Sequence, residues 1–194
     1  KVWKFMFRDL VIANRSVRRF VESEAISRQT LLELIDLARL SPSGANKQAL
    51  RYYVSCDRAQ NESVFEALAW AAYFKDWAGP VSGERPSGYI VIVQDQANKM
   101  VSGIDYGIAA QTILLGAVEK GLGGCMIGNI NKPKLEDALN IPENYEILLA
   151  IALGKPKETV VIDEIDSNGD IKYWRDDAQV HHVPKRKLKD IVLN

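Results

Sequence analysis

Residues 101–120 restrict this chain more than any other stretch. Ile104, Ile108, Ala109, Thr112, Leu115 and Ala117 put small or apolar groups almost all round a helix. A helix without a polar face must be covered on most sides, by a core or by a second subunit. Residues 89–94 (YIVIVQ) are the clearest candidate for a buried strand that could supply part of that cover.

The remaining pattern is mixed. Helical spacing is read over 5–14, and again after Ser27, whose hydroxyl can cap a helix bearing Leu31, Leu34, Ile35 and Ala38. Ser41-Pro42-Ser43-Gly44 stops that helix. Further helices are expected over 61–73 and 134–139, and strands over 51–55, 122–127, 146–153 and 159–165. Ser167-Asn168-Gly169 predicts a hairpin turn, because Asn-Gly accepts positive φ, with 171–174 returning as the partner strand. After Arg175 periodicity is lost and Pro184 intervenes, so 176–194 reads as an extended arm outside the core. Strands and helices without strict βα alternation point to an α+β fold. The length of 194 residues fits one domain, 1–175, plus that arm.

Composition excludes several function classes. Lys+Arg and Asp+Glu are 25 each, so no global field favours nucleic acid or a membrane surface. The zero sum hides local clusters: residues 158–177 hold seven acids against Lys172 and Arg175, while Arg15, Arg18, Arg19 and 185–189 carry the opposite sign. No apolar run reaches the ~18 residues of a membrane span, and the start (KVWKFMF) has no signal-peptide core. Two cysteines, Cys56 and Cys125, are too few for a disulfide framework and fit a reducing, cytoplasmic setting. Cys125 lies in an apolar run that disfavours its thiolate, so it reads as a core residue. His181 and His182, as strand neighbours, would point to opposite faces, which argues against a shared metal and for two partly exposed histidines. Gly121, Gly123, Gly124 and Gly128 miss the G-x-G-x-x-G spacing, since residue 126 is Met. No phosphate-loop, nucleophile-elbow or H-E-x-x-H motif occurs.

Four segments keep ligand-binding chemistry. Arg15, Ser16 and Arg18 place two guanidinium groups and a hydroxyl within four residues, which suits a phosphate but also makes an ordinary solvated turn. Pro42, Ser43, Asn46 and Gln48 combine small residues with two amides that match the donor–acceptor edge of a heteroaromatic ring, or simply end a helix. The run 121–129 (GLGGCMIGN) has glycines that let a flat ligand lie on the main chain. Lys185, Arg186 and Lys187 are a basic cluster on the arm, or a solvated tail.

In this order the segments resemble the FMN-dependent nitroreductase family. The resemblance rests on Arg15, Ser16, Arg18 and Phe20; on Ser41, Pro42, Ser43, Gly44, Asn46 and Gln48; and on the helix with Ala109, Ala110, Gln111, Leu114, Leu115 and Ala117. It continues through Gly121, Leu122, Gly123, Ile127 and Gly128, then Leu153, Gly154 and Pro156, and ends with Lys185, Arg186 and Leu188. It implies a three-layer α/β/α fold with a central, mostly antiparallel sheet, and a homodimer that exchanges its C-terminal arms. It implies FMN as cofactor and NADH or NADPH as co-substrate. Arg15, Ser16 and Arg18 would hold the phosphate and ribityl end, with Lys185 and Arg186 completing the phosphate site. Pro42, Ser43 and Asn46, from the partner subunit, would lie along the flavin ring, with Gln48 supporting that loop. Met126, Ile127, Gly128 and Asn129 would line the ring near N5.

The implied activity is ping-pong reduction of nitroaromatics, quinones or similar small aromatic acceptors, with no catalytic side chain, no metal, no nucleic acid and no membrane. The same fold also hosts reductive dehalogenation, flavin-consuming chemistry and non-enzymatic FMN binding. The chain departs from the family pattern at Asn14, where an Arg is common, at Ala49-Leu50, where Pro-Trp is frequent, and at Gly128, where some branches carry an acid. The segment 70–87, with Tyr73, Lys75 and Trp77, stands where the family covers the open flavin face.

Overall fold

The computed structural model describes residues 6–99, 103–166 and 168–194. Strand β4 (Tyr145–Gly154) shows how the layers are built. Ile147, Ala150 and Ala152 face one apolar core, whereas Leu149, Ile151 and Leu153 face another. Both faces of the strand are therefore covered, which needs a layer on each side. The alternation skips at Leu148, where a bulge shifts the register between Ile92↔Leu149 and Val93↔Ile147.

The main sheet has the order β1-β2-β4-β3, with β1 (Leu50–Ser55), β2 (Gly88–Asp95) and β3 (Gly123–Ile127), and every neighbouring pair is antiparallel. Helices α2 (Arg28–Arg39) and α4 (Asp105–Glu119) close one face through Leu31, Leu34, Ala110 and Ile113. Helices α3 (Arg58–Phe65) and α5 (Lys132–Leu139) close the other through Val64, Leu135 and Leu139. This is the expected α/β/α arrangement. Ser27 caps α2 as expected, its hydroxyl accepting from Thr30 N at 3.0 Å. Helix α1 (Phe7–Ala13) has no buried residue and lies beside α4. Phe5, Val101 and Ser167, which bound the predicted first helix, the long helix and the hairpin turn, lie outside the described residues.

Three expectations are corrected. The helix predicted over 61–73 runs only from Arg58 to Phe65. Past it the main chain turns to bond residues 129–131: Ala69 N donates to Asn129 O at 3.0 Å and Asn131 N to Ala67 O at 2.8 Å. Apolar spacing continued beyond Phe65, but main-chain pairing took over from the helix. The predicted hairpin across Asn168-Gly169 does not form. Instead β5 (Val160–Glu164) pairs in parallel with β7 (His181–Lys185), and β6 (Trp174–Arg175) pairs antiparallel with the other side of β7. Thus 181–185, expected as part of an extended arm over 176–194, pairs within a sheet of its own chain. Pro184 lies beyond the end of the two-residue β6, so its missing N–H falls where that ladder has already stopped. Third, the two histidines differ. They do face opposite ways, but His181 is 0% exposed while His182 stacks on Trp174 at 4.1 Å near the surface.

Candidate functional site

The segment 14–20 leaves α1 and runs along the outer edge of β3. Val17 N donates to Gly124 O at 3.0 Å, and Ser16 bridges to Gly124 in parallel sense. This brings the Arg15–Ser16–Arg18 motif to the glycine run. A Cβ at Gly123 would sit 3.1 Å from Val17 Cγ2, and one at Gly124 would sit 2.3 Å from Ala152 O. These two glycines therefore serve strand and segment packing. Gly128 is different: a Cβ there would meet nothing within 4 Å. Space for a ligand begins where β3 ends.

The three arginines of the motif have separate roles. Arg19 pairs with the buried carboxylate of Glu84 through Nε at 2.5 Å and Nη2 at 3.0 Å. That hydrogen-bonded pairing raises the Arg19 pKa and, reciprocally, holds Glu84 below the usual carboxylate range. Arg19 is thus structural and leaves the basic cluster assembled from the sequence. Arg15 and Arg18 have no carboxylate bonded to their guanidinium groups among the described residues. Arg15 donates from Nη2 to Val11 O at 2.8 Å, but its Nε is buried with no partner, and burial lowers its pKa. The Arg18 guanidinium lies over the Tyr173 ring, 4.9 Å from its centroid, and donates to Ser16 O at 3.4 Å. An orphaned buried guanidinium N–H is costly until an acceptor arrives, and an anion fits it best.

Ser16, Met126, Gly128 and Asn129 are exposed, while Ile127 is buried in the core. Cys125 is buried too, which pushes its thiol pKa up to about 12; it is the core cysteine expected.

The loop 42–48 is built for shape. Ala45, Asn46 and Gln48 all have positive φ, near 50°. Three non-glycine residues so close together in that region store strain that must be imposed by their surroundings. Here the anchors come from α4 and its neighbours: Gly44 N donates to the buried Asp105 carboxylate at 3.0 Å, and Ser41 meets Thr112 at 2.9 Å between hydroxyls. The loop holds Asn46 and Gln48 outward, with exposed side chains. No hydrogen bond or ion pair among the described residues links Pro42, Ser43, Asn46 or Gln48 to Arg15, Arg18 or 126–129.

Lys185 and Arg186 are exposed at the end of β7. They lie four and five residues beyond His181, about 13 Å or more along an extended chain. One chain therefore brings the motif at 15–18 to Gly123 and Gly124 of the run 121–129.

A model of the nitroreductase family matches residues 12–155. The chain belongs to the nitroreductase family. The 4-nitrobenzoate reductase of Pseudomonas putida is 27% identical, with 82% of this chain and 89% of that protein aligned. A nitroreductase family protein from Clostridium novyi NT, known by crystal structure, is 27% identical and superposes with a TM-score of 0.64 over 79% of this chain and 88% of its own. An FMN-dependent nitroreductase from Clostridium difficile R20291 shares the fold at 23% identity, with a TM-score of 0.62 over 77% and 87% of the two chains.

The family match stops at residue 155, just before the residue that does most to organise the site. The Glu158 side chain is 0% exposed. Its Oε1 accepts from the main-chain N–H groups of Arg18 and of Arg19 (3.2 Å), and its Oε2 accepts from Arg175 Nη2 at 2.9 Å. The sequence offered only an acidic residue among seven, so Glu158, Arg175 and His181 were not legible as a unit.

Proposed function

We propose that this nitroreductase family member is an FMN-dependent NAD(P)H oxidoreductase that reduces nitroaromatics, quinones or similar small acceptors, and that it works as a homodimer. The orphaned buried Nε of Arg15, near an Arg18 whose guanidinium has no carboxylate partner among the described residues, carries the reading. It is the donor set that a phosphate monoester requires. When bound, FMN supplies hydride acceptance from NADH or NADPH and hydride delivery to the acceptor at N5, in alternation.

The chain's own residues bind and orient. Arg15, Ser16 and Arg18 would hold the phosphate and ribityl end, with Lys185 and Arg186 adding cations. The main chain of Met126, Ile127, Gly128 and Asn129 would lie along the ring, where the open side of Gly128 leaves room. Pro42, Ser43, Asn46 and Gln48 would come from the partner subunit, which accounts for a strained loop that presents its amides to solvent.

Titration of the purified protein with FMN, followed by NADH or NADPH oxidation with menadione, tests this. The expected outcome is saturable FMN binding and turnover well above free FMN. Absence of FMN binding would overturn the reading of the site. Binding without turnover would leave an FMN carrier and overturn the enzymatic reading.

A further inference from the structure

We propose that Arg175 is a positioning residue that couples the Arg15–Arg18 anion site to the aromatic segment 73–77. This rests on the reading of that site as an FMN phosphate cradle, and goes beyond it by assigning what the second sheet is for.

The linkage is continuous. Arg175 Nη2 donates to Glu158, and the same carboxylate receives the main-chain N–H groups of Arg18 and Arg19. The flat face of the Arg175 guanidinium lies 4.7 Å from the Phe74 ring centroid and 4.6 Å from that of Trp77. Phe74 and Trp77 meet edge to face, at 5.9 Å and 88°. A parallel path runs through Tyr173, whose ring contacts Arg18 at 4.9 Å and Phe74 at 5.1 Å, and whose hydroxyl accepts from Tyr73 N at 3.3 Å. His181 fills the centre, 5.5 Å from Phe74 and 5.4 Å from Tyr173.

Segment 73–77 is otherwise lightly held. Its internal main-chain bonds are two turn contacts, Phe74 N to Ala71 O and Trp77 N to Phe74 O. Its placement therefore rests on side chains: Trp77 packs against the main core, and Tyr173, Arg175 of β6 and His181 of β7 hold the rest. The Arg175 contacts pass through one buried carboxylate to the two amides that shape the cradle. A guanidinium suits the post because it is planar: one edge bonds the carboxylate while a face stacks on aromatic rings. Lysine can replace the first function and not the second.

The test uses the full chain, measuring FMN affinity and hydrogen exchange over 70–79 with and without saturating FMN. In the wild type, FMN should slow exchange in 70–79 by about fivefold or more. Arg175→Lys should bind FMN within about threefold of wild type, yet gain no such protection, and its acceptor KM should rise about fivefold with kcat little changed. Phe74→Leu breaks the same stack from the other side without touching Glu158. It should also lose the protection while keeping FMN affinity, so the test stands even if the Arg175 variant folds poorly. FMN bound to wild type with unchanged exchange over 70–79, or full protection retained in both variants, would overturn the coupling. Failure of the wild type to bind FMN would instead overturn the cradle reading beneath it.

Discussion

Arg15 and Arg19 stand four residues apart and meet opposite surroundings. Arg19 has a buried carboxylate, whereas Arg15 has a buried N–H without an acceptor. Their substitutions should therefore separate. Arg19→Ala strips Glu84 of its main partner and leaves Lys157, at 3.1 Å, as the remaining cation. It should cost about 2–4 kcal/mol of stability in urea unfolding while changing the FMN affinity of the folded protein only slightly. Arg15→Ala should do the reverse. It should weaken FMN about 30-fold or more, in line with the loss of a charge-assisted contact of about 2 kcal/mol, and leave the unfolding midpoint nearly in place. Equal effects of both variants on FMN would mean that Arg19 belongs to the site after all. The sequence placed these arginines together because it showed only their type. What separates them is Glu84, 65 residues away along the chain. Likewise Gly124 and Gly128 look alike in the run 121–129, and the packing of Ala152, Leu153 and Leu114 against Gly124 tells them apart.

At the level of elements, legibility followed contact range. Helix α2 was legible because Ser27 and its apolar spacing are local signals, and β2 because it is buried on both faces. The second sheet was not. A parallel β5–β7 pairing joins Val160 to His181 and has no local turn to announce it, while Asn168-Gly169 advertises a hairpin that long-range packing overrides. That sheet encloses His181, and this sets a pH dependence. Burial, with Arg18, Arg175 and His182 nearby, pushes the His181 pKa down to about 4, against the pull of Glu158. The unfolded chain takes up that proton near pH 6.5, whereas the folded protein resists it. Stability should therefore fall as pH drops from about 6.5 to about 4, by on the order of 3 kcal/mol from this group, and no further below that. His182 acts in the opposite sense. Burial lowers its pKa, but its bonds to Asp163 and Asp176 outweigh this and raise it, so it stabilises the folded state below its unfolded pKa and loses that contribution at higher pH. Comparing urea midpoints of wild type and His181→Phe from pH 7.5 to 4.5 isolates the first term. The variant should lose stability less steeply on acidification. Parallel curves would show that His181 is not the group that titrates.

For the molecule as a whole, the unresolved requirement of the sequence was cover for the helix over 101–120. In one chain α4 buries Ala110, Ile113 and Ala117 against the sheet and α2, and the opposite side is only partly covered by α1, which has no buried residue of its own. Met6, Phe7 and Ile12 of that region are exposed, as are Leu188, Ile191, Val192 and Leu193 after β7, the last at 98%. In the homodimer proposed above, this apolar surface would be the interface. On the same proposal the site would be completed by the partner, since no hydrogen bond among the described residues joins Asn46 or Gln48 to the cradle or Gly128 in their own chain. If each site takes its cradle from one copy and its 42–48 loop from the other, the two halves can be complemented. Co-expressed Arg18→Ala and Asn46→Ala chains should form mixed dimers in which one site has both defects and the other has none. With random pairing about half the dimers are mixed, so about one quarter of wild-type FMN sites should return at full affinity although each variant alone binds weakly. Restoration of that fraction would establish a shared site. A mixture that binds only as the average of its parts would show that the cradle and the loop serve the ligand from within one chain.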